Sequence, residues 1–182
     1  MKHLLFIIII LVGGVCQLNA QKWITRTGKI SFFSSTPIEN IEAFNNEVAA
    51  AIDGKTGEVV FIVPIKSFRF EKALMQEHFN SDYLESDKYP KADFKGVISN
   101  LSEINFSKDG NYTAHIKGKL TIHNVTQEIA TVGTIVIAGN TATARAKFRV
   151  KTADYKISIP SLVENKIAKE IEITVNTVLN QR

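Results

Sequence analysis

The chain has 182 residues, 45% of them hydrophobic and 22% charged, a globular composition that excludes long disorder and a multi-span membrane protein. Its 22 basic and 18 acidic residues leave a formal charge of +4, and because the basic residues are scattered along the chain, charge gives no nucleic-acid footprint. With 10 Gly, 4 Pro and one Cys there is no low-complexity tract, and the length fits one domain behind a leader.

Met1-Lys2-His3, an apolar run over residues 4–12, and small or polar residues ending Leu18-Asn19-Ala20 have the order of a secretory signal. The apolar run is about half of the ~20 residues that span a bilayer, so a removable leader with cleavage after Ala20 is expected, and residues 21–182 form the exported domain, periplasmic or secreted. Lipidation on Cys16 is the alternative, although Gly13 and Val15 suit a lipoprotein leader poorly. Cleavage after Ala20 removes the one thiol, and with it disulfides, thiolate metal sites and a cysteine nucleophile.

Beyond the leader, residues 29–35 read as a first strand. Residues 41–52 are ambiguous, since Ile41, Phe44, Val48 and Ile52 also suit a helix, but a place between two strand signals favours strand. Asp53-Gly54-Lys55-Thr56-Gly57 is a turn, and residues 59–65 are the next strand. Alternation stops over residues 67–90, where Phe70, Leu74, His78 and Phe79 recur at helical spacing until Pro90 ends the pattern. Such a helix covers a barrel mouth, plugs a hole in the core or packs outside the sheet.

Residues 92–101 form a further strand. From Tyr112 the pattern is regular, with Tyr112, Ala114, Ile116, Gly118, Leu120 and Ile122 facing one side and Thr113, His115, Lys117, Lys119, Thr121 and His123 the other. Residues 128–138, 142–151 and 171–179 complete eight strands. An eleven-residue strand over 114–124 runs roughly 36 Å, which suits a closed, tilted barrel better than a sandwich with long open edges. The expected fold is all-β: an eight-stranded antiparallel barrel with one short helix near its mouth.

In a barrel of this size the inward side chains decide between a solid core and a lumen. Ala114, Gly118, Ala142, Ala144, Ala146 and Gly96 are small inward residues, and the three regular strands carry no charge on that face. A dry lumen follows, bordered by Phe32, Phe61, Val63, Phe94, Ile116, Leu120, Ala144, Ala146, Phe148 and Ile173, with Leu74 and Phe79 contributed by the helix. An apolar tail gains ~0.8 kcal/mol per buried methylene, so ten methylenes give about 8 kcal/mol before ordering costs. The contrary reading is a barrel filled by interlocked large side chains.

Catalytic constellations are weak. His115 and His123, about 26 Å apart on one polar strand face, are expected to be solvated. His78 is left as an acid/base candidate with Glu77 or Asp82. The acidic residues Asp82, Glu85 and Asp87 match no EF-hand spacing, and no G-x-S-x-G, phosphate loop, dinucleotide glycine fingerprint or H-E-x-x-H occurs. No catalytic residue, metal or cofactor is expected.

The order of segments nevertheless resembles a known family. Ser67-Phe68 precedes Leu74-Met75-Gln76-Glu77-His78-Phe79, and Lys88-Tyr89-Pro90-Lys91-Ala92-Asp93-Phe94 follows. Gly118-Lys119-Leu120-Thr121-Ile122-His123-Asn124-Val125-Thr126 forms a second block, and Phe148 through Asp154-Tyr155-Lys156-Ile157 a third. Together these are similar to the YceI-like family of exported lipid-binding proteins. The resemblance implies a lipocalin-like barrel holding a polyisoprenoid, such as a quinone or isoprenoid phosphate tail, in its lumen. The implied function is non-enzymatic sequestration or carriage of a long apolar lipid of polyisoprenoid, quinone or fatty-acid type, with transient membrane contact. The alternatives are a small hydrolase or isomerase using His78, and a ligand-free structural module. Ala138-Gly139-Asn140 and residues 161–165 read as shorter loops than in longer members, so a short barrel mouth is expected.

Overall fold

The computed structural model describes residues 21–182; the leader, its cleavage after Ala20 and the lipidation of Cys16 lie outside the described residues. The strands are β1 (Lys22–Ser35), β2 (Asn40–Asp53), β3 (Glu58–Pro64), β4 (Arg69–Phe70), β5 (Lys91–Ile98), β6 (Gly110–Ile122), β7 (Val125–Ala138), β8 (Thr141–Lys151) and β9 (Glu170–Gln181). Their order is β1-β9-β8-β7-β6-β5-β3-β2, and β2 pairs back onto β1. All pairings are antiparallel. Eight long strands thus close into a barrel, while the two-residue β4 adds to β2 at Ala43 and Phe44.

Strand boundaries follow the alternation wherever nothing interrupts it. β1 starts at Lys22 rather than at residue 29, because a bulge separates its halves: pairing with β2 shifts register on both sides of Gly28. The inward set passes from Trp23 to Gly28 and Ile30, an odd step that hides the period of two. The same bulge explains the helix-like spacing in β2, where Ala43 and Asn45 face inward on one side of it and Val48, Ala50 and Ile52 on the other. Phe44, which contributed to that spacing, is half exposed on the outer wall.

Thr177 makes the bulge possible. Its hydroxyl accepts from the Lys29 N–H and donates to the Lys29 carbonyl, both at 3.1 Å, so a side chain takes the place of the missing ladder bonds. The approach is close enough that a Cβ on Gly28 would lie 2.7 Å from Thr177 Cγ2, which only glycine tolerates. Across the bulge Asn45, fully buried, donates to the Pro64 carbonyl at 2.8 Å and accepts from the Glu47 N–H at 2.9 Å.

One end of the barrel is filled. Trp23 and Phe106 lie with ring centroids 6.2 Å apart, beside Ile104 and the fully buried Ala114, Ala142 and Leu179. Ala114 and Ala142, expected to widen the lumen, instead make room for this floor. The other end carries the 36–39 loop, the excursion between β3 and β5, the His123-Asn124 turn and the 152–169 connection. Three expectations change there. β6 stops at Ile122, since His123 and Asn124 take φ of 51° and 59° and form the two-residue turn of a hairpin. The helix over 67–90 contracts to α1 (Ala73–His78) and a π-helical turn, Phe79–Tyr83, with Phe70 drawn into β4. Finally, the mouth is not short, because residues 152–169 form one long connection of turns.

Replacing Thr177 by Val keeps the shape and strands the Lys29 N–H and carbonyl, so it is expected to cost about 1–3 kcal/mol; the midpoint of urea unfolding measures this, with far-UV circular dichroism unchanged.

Candidate functional site

Above the floor the barrel encloses a cavity of about 490 Å³, within the ~300–1,000 Å³ range of small-molecule sites. β1 contributes Phe32, β3 Phe61 and Val63, β5 Phe94, β6 Ile116 and Leu120, β8 Ala144, Ala146 and Phe148, and β9 Ile173. Leu74 and Phe79 border it from α1 and the π-helical turn. The structure therefore brings all twelve sequence-selected residues to one space. Leu74 sits at the rim, 61% exposed.

Sequence reasoning selected no lining residue from β2 or β7, which contribute Ile41, Ile52, Ile129 and Ile135, and it missed two irregular parts of the wall. Phe68 and Phe70 come from the corner between β3 and α1, and Ile157, Val163 and Ile167 from the 152–169 connection. The second group carried a signal, apolar residues recurring through a segment without regular period, but no periodicity rule assigns such a segment to a wall. Two residues that were read as opening the lumen do not. A Cβ on Gly96 or Gly118 would come within 2.5 and 2.8 Å of the Phe94 ring, which lies folded over this facing pair. The glycine notch is thus occupied by phenyl, and Ala144 and Ala146 on the β8 side keep space free.

Four phenylalanines organise the open end. Phe32 stacks on Phe79 at 5.4 Å and 24°, and Phe68 and Phe70 meet Phe79 at 5.5 and 5.0 Å. Pairs of this kind contribute about 0.5–1.5 kcal/mol each beyond burial, and here they fasten the short helix to the barrel wall.

A polar clasp lies opposite. His123, expected to be solvated, is only 13% exposed; Nε2 is 2.7 Å from Glu85 Oε2 and Nδ1 3.4 Å from the Tyr155 carbonyl. Tyr89 packs edge-on against the imidazole at 4.6 Å. The reason is the turn, which swings the ring off the strand face and into the groove between two mouth segments. Glu85, His123, Asn124 and Lys156, the non-glycine residues with positive φ among those described, all lie at this end, where strain is held by the surrounding contacts. Tyr155 is buried and its hydroxyl has no partner; burial, aided by Asp154, pushes the phenol up to about 12. His78 is exposed at the rim, and among the described residues no hydrogen bond joins it to Glu77 or Asp82 and no cluster of three His, Asp or Glu residues is placed to hold a metal.

A family model for the YceI-like domain matches residues 23–179. Among curated proteins none matches the chain. Solved structures do. A polyisoprenoid binding domain from Saccharophagus degradans, implicated in plant cell wall breakdown, is 14% identical and superposes with a TM-score of 0.78 over 90% of this chain and 99% of that one. Burkholderia cenocepacia BcnA is 18% identical, with a TM-score of 0.70 over 83% and 95% of the two chains. The Campylobacter jejuni YceI protein is 17% identical, with a TM-score of 0.62 over 81% and 89%. At these identities the likeness establishes the shared barrel.

Two outcomes follow from this geometry. Ala146→Trp is expected to fill the cavity and abolish uptake of a fluorescent fatty probe while the β-rich circular dichroism spectrum persists. Because the neutral Tyr155 phenol is favoured by the fold, its contribution is intact below pH 10 and declines as pH rises toward about 12; absorbance titration should show a late-ionising tyrosine that Tyr155→Phe removes.

Proposed function

The chain belongs to the YceI-like family, and from that premise we propose that it is an exported, non-catalytic carrier that holds the tail of a long apolar lipid, of isoprenoid type, inside the barrel. The observation that carries this reading is the cavity: about 490 Å³, bordered almost wholly by apolar side chains, sealed at the floor and reached from the mouth. Water gains nothing from such a wall, since a water needs polar partners to be held. A hydrocarbon tail gains ~0.8 kcal/mol per methylene, so ten methylenes set about 8 kcal/mol against the ordering costs of association, and a longer tail adds in proportion.

Branched isoprenoid chains suit a lumen lined by alternating phenyl and branched aliphatic groups, and the polyisoprenoid binding domain of Saccharophagus degradans shares the fold. The signal-like order of residues 1–20 supports export, and outside the cytoplasm an apolar lipid needs a shell to cross water.

The test is direct. Protein expressed with its own leader and recovered from the exported fraction is expected to release an isoprenoid-type lipid at near one per chain in native mass spectrometry and solvent extraction. Protein that carries no lipid, and takes up neither prenyl nor fatty probes when refolded lipid-free, overturns the carrier reading.

A further inference from the structure

The barrel wall is not hydrogen-bonded all the way round. β7 and β8 pair only from Gly133 opposite Ala146 to Ala138 opposite Thr141. Yet β7 continues to Val125 along β6, and β8 continues to Lys151 along β9. Toward the mouth the two strands therefore diverge, and the facing edges of residues 125–132 and 147–151 have no strand partner. Such edges present rows of N–H and C=O groups to whatever lies between them.

Between them is a second cavity, about 330 Å³, bordered by Gln127, Glu128, Arg149, Lys151, Asp154 and Glu170. Its wall is mostly polar where the main wall is apolar. The two spaces meet at a thin partition, since Ile129, Phe148, Val150, Lys151 and Tyr155 border both. The turn Thr152–Tyr155 is wedged beside the slit, held by the Gln127 side chain donating to the Asp154 carbonyl at 2.8 Å. In the partition itself the Tyr155 hydroxyl is buried without a partner, so the wedge is an under-satisfied element that a polar group nearby would stabilise.

We propose that this slit is a head-group subsite: a lipid whose tail lies in the main cavity seats an uncharged, hydrogen-bonding head group, such as an alcohol, between β7 and β8. The proposal rests on the carrier reading for the tail. Charge selects the head. Glu128, Asp154 and Glu170 face two cations, and both are engaged, Arg149 with Glu172 at 3.8 Å and Lys151 with Glu170 at 4.0 Å. A phosphate would find excess negative charge and no free cation. A hydroxyl both donates and accepts, which matches an open strand edge that does the same.

The test compares three ligands with one tail: geranylgeraniol, the hydrocarbon lacking its hydroxyl, and geranylgeranyl diphosphate. Binding is followed through Trp23, the one tryptophan, which sits in the floor. The full-length protein is expected to bind the alcohol about tenfold more tightly than the hydrocarbon, as one well-made hydrogen bond allows, and more tightly than the diphosphate. Gln127→Leu should reduce the preference for alcohol to about twofold, with an unchanged far-UV circular dichroism spectrum reporting that the variant folds. Ala130→Leu, narrowing the slit from β7, should do the same if Gln127→Leu fails to fold. Lys72 borders the main cavity just before α1 and pairs with Glu39 at 3.0 Å; an alcohol preference that survives both changes in the slit, or that is lost instead in Lys72→Met, overturns the subsite, as does tighter binding of the diphosphate. If the unaltered protein binds none of the three, the tail site itself fails.

Discussion

Closing a sheet on itself removes its edges but leaves one volume for which inward side chains and a guest compete. Everything else in this protein follows from how that competition is settled along the barrel axis. At the floor it is settled in favour of side chains: Trp23 and Phe106 occupy the axis, and Ala114 and Ala142 give way to them. Higher up, Phe94 lies back over Gly96 and Gly118, so that a ring covers the wall instead of crossing the lumen. Ala144 and Ala146 leave the facing wall low. The same sheet is thus a packed core at one end and a container at the other.

The mouth obeys a different economy, because its segments lack regular backbone pairing and must be anchored by side chains. On one side the anchor is aromatic: Phe32, Phe68, Phe70 and Phe79 tie α1 and the corner before it to β1. On the other it is polar, with His123 set between Glu85 and the Tyr155 carbonyl. The first anchor is apolar, and the second is hydrogen-bonded across three separate segments. Both leave the lumen itself nearly free of polar atoms.

The sequence made the barrel legible where alternation ran without interruption. β6, β8 and β9 begin and end within about three residues of their pattern, and their inward faces supplied half of the twelve residues chosen from the sequence. β1 and β2 were obscured by two adjoining register shifts, one on each side of Gly28, which invert the phase in each strand. Period-two reading sees only the stretch on one side, and in β2 it sees a false helix. The His123-Asn124 turn escaped notice because it lacks the glycine that usually marks a two-residue hairpin, so His123 was assigned to a wet face. Phe68, Phe70 and the apolar residues of 152–169 line the cavity from irregular backbone, where side-chain direction is set by tertiary contacts rather than by spacing.

The filled floor has a geometric consequence. A tube blocked at one end opens in one direction only, so whatever enters the lumen passes the mouth segments, and the depth open to it ends at Ile52, Val59 and Ile135, short of the Trp23 and Phe106 rings. Depth then acts as a ruler: chains shorter than the bore leave it partly void, and longer ones are forced to fold back or protrude. The limit on length is set in this way by where the packed floor begins, without any group that recognises a particular chemistry.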